Sequence, residues 1–260
     1  MGDATCIDAL LRDGLNDAFS GKHSGWHTED LATQYKVSRA EQDAFAARSQ
    51  QRFAAAQQAG HFTNEIEPLT LQSKKGNIIF SSDESVRPDT TVDSLSRLKP
   101  AFRPDGSITA GNATGVNAGA AAMIVCSRAT AAEFGLQPML TIKSVAVSGV
   151  EPGMFGLGPI PAIRAALQRA DWQVNEVDRF EVNEAFAAIA LIVQQELKID
   201  DVRFNVDGGA IAHGHPIGAS GAILITKLAH AMQRRGETKG VVSLCIGGGQ
   251  GIALCLQSTT

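Results

Sequence analysis

A histidine, a cysteine and an asparagine sit in stretches whose composition suits chemistry. His215 lies in Gly208-Gly209-Ala210-Ile211-Ala212-His213-Gly214-His215-Pro216-Ile217-Gly218-Ala219-Ser220-Gly221. The glycines remove bulk where backbone must turn or approach another group, and Pro216 biases His215 towards an extended conformation. The apolar positions Ile217, Leu224, Leu228 and Met232, followed by Arg234-Arg235-Gly236, predict a helix after His215 with a glycine stop. An imidazole just outside a helix N-terminus stays neutral more readily and suits donation of a hydrogen bond to developing negative charge. A packed or solvated histidine beside a turn is the alternative.

Cys245 ends the first of two apolar, β-capable runs that flank Gly247-Gly248-Gly249. Backbone N–H groups in such a loop can form an anion-binding nest. For Cys245 the plain alternative is an inert buried thiol, and for Gly247 a purely geometric role in the turn. Asn183, ahead of a predicted helix over 185–197, is read either as part of a polar site or as that helix's cap.

These residues need elements to carry them. Helices are predicted in the first 60 residues: one opening at Ile7 and interrupted at Gly14, one from Thr28, and one announced by the S-x-x-E capping box Ser38-Arg39-Ala40-Glu41. Short strands are expected at 66–71 and 78–80 within a loop-rich excursion, the kind of surface segment that binds ligands. Small residues over 109–119 precede a buried-strand candidate at 120–126. A strand at 141–147, a helix at 161–170, a strand at 179–184, the helix at 185–197, the helix after His215 and a hairpin at Cys245 follow. Val202, Phe204 and Val206 leave an uncertain extra strand. The order favours an α/β layered architecture.

The chain has 260 residues, 44% of them hydrophobic, enough for a sizeable core in more than one structural unit. A net charge of −4 without any basic block argues against a nucleic-acid partner. No apolar run is long enough to span a membrane, and the first residues lack the pattern of a secretory signal. The four cysteines Cys6, Cys126, Cys245 and Cys255 form no C-x-x-C pair, so a reducing compartment is expected. His213-x-His215 lacks companions for a metal site. No cofactor and no metal are expected.

Asn183-Glu184-Ala185-Phe186-Ala187, the glycine-rich histidine stretch and Cys245-Ile246-Gly247-Gly248-Gly249 occur in the order and at the spacing of the thiolase family. Along its whole length the chain resembles the acetyl-CoA acetyltransferase branch. The resemblance implies a layered αβαβα fold, here incomplete: residues 1–116 as a loop domain binding coenzyme A, 117–136 as the last strand region of the N-terminal half, and 137–260 as the C-terminal half. Thiolases carry their nucleophilic cysteine upstream of the loop domain, so that residue is expected to be absent, and none of the four cysteines replaces it.

The resemblance further implies condensation of two acetyl-CoA to acetoacetyl-CoA and coenzyme A, with thiolysis as the reverse. His215 would activate the nucleophile and then help hold the thioester oxygen. Cys245, its thiolate favoured by a polar pocket, would take a proton from the acetyl methyl. Asn183 would orient a water beside His215, and the Gly247 N–H would serve a second oxyanion hole. Coenzyme A candidates are His23, Arg87, Ser94, Ala110, Thr114 and Phe186. Three departures from the family pattern stand out: Ser24 for a methionine, Ala118 for an aspartate, and His213 for an aliphatic residue, the last adding a titrating group beside His215.

A homo-oligomer, dimer or tetramer, is implied for the complete enzyme. The expected compartment is cytoplasmic, with mitochondrion or peroxisome as the alternative. The isolated chain is expected to be inactive or nearly so and, with strand 120–125 lacking sheet partners, to aggregate unless a partner covers it. The other readings are a non-catalytic remnant that binds coenzyme A or a partner, and a Cys–His hydrolase built on Cys245 and His215.

Overall fold

A computed structural model describes residues 2–259. Strands β3 (Leu140–Gly149), β4 (Arg179–Val182), β5 (Lys239–Ile246) and β6 (Gln250–Ser258) form one sheet in the order β3-β6-β5-β4, with only β4 and β5 parallel. Successive strand side chains point to opposite faces, and the two faces are covered by different helices. Val241, Ala253 and Cys255 pack with Ile163, Ala166 and Leu167 of α5 (Pro159–Ala170) and with Ile189 and Val193 of α6 (Ala187–Leu197). Their neighbours Val242 and Leu256 join Leu224, Leu228 and Met232 of α8 (Ser220–Arg235) instead. The result is a mixed α/β layering with helices above and below the sheet.

The N-terminal part contributes α1 (Ser24–Gln34), α2 (Arg39–Gln58), an antiparallel hairpin of β1 (Leu69–Ser73) and β2 (Gly76–Phe80), α3 (Val92–Ser96) and α4 (Arg128–Glu133). The capping box that opens α2 is present, since Ser38 Oγ accepts from Glu41 N–H and Glu41 Oε2 accepts from Ser38 N–H. Helix α2 packs on α6 and on α7 (Ala210–His213), which ties this part to the turn that carries His215.

Several local expectations are corrected. Helix α1 begins at Ser24, four residues before Thr28, because the ring of His23 caps it by accepting from Gly25 N–H. Gly14 does not interrupt the first helical segment but lies inside a π-helical turn, Leu11–Leu15. Phe204 makes one isolated bridge to Phe180, and Asp201–Arg203 is a 3-10 turn, so no extra strand forms there. Residues 120–126 form no strand and are exposed, Ile124 to 83%. Apolar, β-capable sequence is not enough; a buried strand needs neighbours to bond with, and among the described residues this run has none.

Candidate active site

Asn183 follows β4 directly, and its N–H donates to the Ser243 carbonyl of β5 at 3.0 Å. Cys245 lies two residues further along the parallel β5. Both therefore lie at the carboxyl ends of β4 and β5, where open α/β sheets form their ligand crevices. His215 is brought to this edge from the turn between α7 and α8. Its ring Nε2 lies 3.2 Å from Asn183 Nδ2 and its Nδ1 lies 2.6 Å from Ser220 Oγ. An amide nitrogen can only donate, so Nε2 accepts and the ring proton sits on Nδ1. That proton is donated to Ser220 Oγ, which passes its own to the Pro216 carbonyl at 3.0 Å.

This arrangement fixes the chemistry of His215. Burial pushes its pKa down to about 4, so the ring is neutral, and the cause is desolvation, not the helix end that the sequence suggested. Its Nε2 lone pair, which here accepts from the Asn183 amide, can take up a proton once that bond is released, after which the same nitrogen becomes a donor. The Asn183 carbonyl oxygen is buried and has no protein partner. Asn183 is not a helix cap: α6 begins at Ala187 behind Phe186, which makes no side-chain cap bond.

Two further expectations about titration are corrected. Burial pushes the Cys245 thiol up to about 12, so at rest it is a thiol and not a thiolate. His213 is pushed down to about 3, mainly by burial, and so adds no titrating group near neutral pH. The Cys245 result carries a prediction. Cys6 and Cys126 are exposed, and at pH 7.5 they should alkylate with iodoacetamide within minutes. Cys245 should lag by about a thousandfold, the thiolate deficit of a shift from 9.0 to about 12. Peptide mass spectrometry of timed samples would show this ordering.

Gly247, itself exposed, opens the three-glycine turn joining β5 to β6, in which Gly249 is buried, and its carbonyl accepts from Gln250 Nε2 at 3.2 Å. Gly249, at φ +81°, lies so close to the Val150 carbonyl that any Cβ would collide with it. The turn is thus held against residues 150–152.

Among the coenzyme A candidates, His23 stacks on Phe102 at 4.6 Å, and Phe102 meets Phe186 edge-on at 6.1 Å. Thr114 donates through both its N–H and its Oγ to the Ala185 carbonyl, next to Phe186. These three candidates therefore share one neighbourhood beside Asn183. No hydrogen bond or ring contact joins the others to it among the described residues. Ser94 spends its hydroxyl in the capping box of α3, Arg87 is exposed and held by its backbone N–H to Gln50 Oε1 at 2.7 Å, and Ala110 lies exposed in a turn.

Sequence reasoning missed several residues that shape the site. Ser220 orients the imidazole; its place one turn after His215, at the head of a predicted helix, was the available signal. Glu184 is buried beneath the turn, accepting from Ser49 Oγ, Asn205 Nδ2 and Ile211 N–H. Gly209 lies so close to that carboxylate that a side chain there would collide with it. Lys227, 4% exposed, reaches from α8 to Glu181 Oε2 at 2.8 Å and to the Gly208 carbonyl.

Comparison with known proteins places the fold. Residues 1–129 match the thiolase N-terminal domain and residues 136–258 the thiolase C-terminal domain. The chain is 50% identical over 258 residues to an acetyl-CoA acetyltransferase of Shinella zoogloeoides, covering 99% of this chain and 66% of that protein. It is 51% identical over 257 residues to one of Pseudomonas aeruginosa, covering 98% and 65%. It thus spans just under two thirds of the length of these relatives. Among solved structures, the Bacillus anthracis acetyl-CoA acetyltransferase superposes with a TM-score of 0.95 at 42% identity, over 98% of this chain and 65% of that one. Human mitochondrial 3-ketoacyl-CoA thiolase in complex with CoA gives 0.90 at 39%, over 100% and 65%. With its sheet, its three motifs and its relatives in agreement, the chain belongs to the thiolase family.

Proposed function

We propose that this chain carries the coenzyme A-binding and proton-handling part of an acetyl-CoA acetyltransferase. With an acyl-carrying cysteine supplied from outside these 260 residues, it would condense two acetyl-CoA to acetoacetyl-CoA and coenzyme A, reversibly. The observation that supports this most is the convergence at one sheet edge of a neutral His215, the Asn183 amide bonded to it, and a protonated Cys245.

The groups would divide the proton transfers between them. The unprotonated Nε2 of His215, on exchanging its hydrogen bond from the Asn183 amide for one from the nucleophilic thiol, takes that thiol's proton, and the sulfur attacks the acetyl thioester. The Cys245 thiol gives its proton to the departing coenzyme A sulfur, and the thiolate left behind removes a proton from the methyl of the second acetyl-CoA. The enolate oxygen is held by protonated His215 Nε2 and by a water on the Asn183 carbonyl, while the Gly247 N–H faces the acyl-enzyme oxygen. His23, Phe102, Phe186 and Thr114 would line the pantetheine path, and Arg87 would reach the nucleotide end. A Cys–His hydrolase has little support, since His215 bonds to Asn183 and Ser220 and no bond joins it to Cys245 among the described residues.

The test is to assay the purified chain alone and after mixing with the first third of the Shinella zoogloeoides enzyme. Calorimetry should show coenzyme A binding to the chain alone, with no acetoacetyl-CoA formed. Turnover should appear on mixing and vanish with His215→Ala. Turnover by the chain alone would refute the external nucleophile. Binding without turnover in any mixture would favour a coenzyme A-binding remnant, and no binding would sink both.

A further inference from the structure

The structure assigns Asn117 as a positioning residue for His215, braced by Ser85. Its Oδ1 accepts the His215 N–H at 3.0 Å while its Nδ2 donates to Ser85 Oγ at 3.0 Å. The side chain occupies the space left by Gly214, which sits at φ +96° and whose absent Cβ would lie 2.6 Å from Asn117 Cγ. Val116 bridges in parallel to His215, so the two segments are in register where the amide crosses between them.

A second amide does the same work nearby. Buried Gln50 accepts the Arg87 N–H through Oε1 at 2.7 Å and donates through Nε2 to the Ile211 carbonyl at 2.9 Å. Two side-chain amides thus tie residues 85–87 to residues 211–215. The ring of His215 depends on bonds of 3.2 and 2.6 Å to Asn183 and Ser220, and a shift of its backbone by about 1 Å would break both. Without those bonds nothing selects the Nδ1–H tautomer, and the Nε2 lone pair is no longer presented to a nucleophile.

This inference rests on the reading of His215 as the reacting imidazole, but its readout is the ring itself, so a chain that fails to bind coenzyme A still decides it. The experiment uses the full chain labelled with 15N-histidine at pH 7. The wild type should show His215 as a single tautomer, Nδ1 pyrrole-like and Nε2 pyridine-like. Asn117→Leu, with the same branching of heavy atoms but without hydrogen bonds, should lose that pattern and leave the resonances of His23, His27, His61 and His230 in place. Ser85→Ala should move His215 in the same direction by less. Asn117→Asp keeps an acceptor for the His215 N–H and should restore the pattern. An unchanged His215 tautomer in Asn117→Leu would overturn the assignment, as would displacement of all histidines together in both variants. If Asn117→Leu does not fold, Ser85→Ala decides by the same criteria.

Discussion

Lys227→Met is expected to cost about 3–5 kcal/mol of stability, the usual penalty for removing one member of a buried ion pair. Lys227 is 4% exposed and Glu181 is 0% exposed, and they meet at 2.8 Å. Glu181 has no adequate substitute partner. Its nearest remaining cation, the Arg179 Nη1, is 3.9 Å from Oε1, an oxygen that makes no hydrogen bond. Arg179 itself is drawn to Glu237 at 2.7 Å. Methionine fills the lysine stem's volume, so the loss would measure the stranded carboxylate more than a cavity. The Gly208 carbonyl would lose its donor as well, loosening the entry to α7 and hence to His215. Urea titration should show a lower midpoint at unchanged slope, and adding Glu181→Gln should recover most of the loss. A loss below 1 kcal/mol would mean that the pair adds little beyond its packing.

The same lysine shows where sequence reading stops. Helix α8 was legible because Leu224, Leu228 and Met232 recur at helical spacing and Gly236 supplies the left-handed stop, found at φ +65°. The hairpin at Cys245 and the capping box of α2 were legible for similarly local reasons. Nothing in that periodicity distinguishes Lys227 from a solvated charge, since its partner lies on β4, 46 residues away. Residues 120–126 failed in the opposite sense. Their composition is that of a strand, but pairing is decided by segments far off in the chain, and among the described residues none pairs with them.

The candidate site divides along the same line. Residue types and order were enough to nominate Asn183, His215 and Cys245, because the motifs are short and sequential. Their protonation was not, because burial is set by the whole fold: it makes His215 neutral, as expected, and Cys245 a thiol, contrary to expectation. Among the coenzyme A candidates, local sequence could not separate Thr114, placed beside Phe186, from Ser94, whose hydroxyl serves a helix cap.

Two of the histidines make folding less favourable in acid. His213 and His215 are pushed to about 3 and about 4 from an ordinary 6.5, so between pH 6.5 and those values the folded chain binds fewer protons than the unfolded one. Their contribution to stability is full above pH 6.5 and is lost as pH falls through this window. Glu65 opposes them: burial raises it from 4.5 to about 7, so its charge costs stability as pH rises through that range, and acidification relieves the cost. A wild-type melt therefore mixes both signs, whereas a substitution isolates one. His213→Leu keeps an apolar contact for Phe53, whose ring lies 5.5 Å from the imidazole, and removes a buried Nε2 that has no partner. At pH 7 the variant should equal or slightly exceed the wild type. At pH 4.5, two pH units below the ordinary histidine value, it should be more stable by about 2–3 kcal/mol. Denaturant titrations of both proteins at pH 7.0 and 4.5 would measure the difference directly. A gap between the two proteins that does not widen on acidification would show that His213 is already protonated in the fold, and that its burial does not hold the ring neutral.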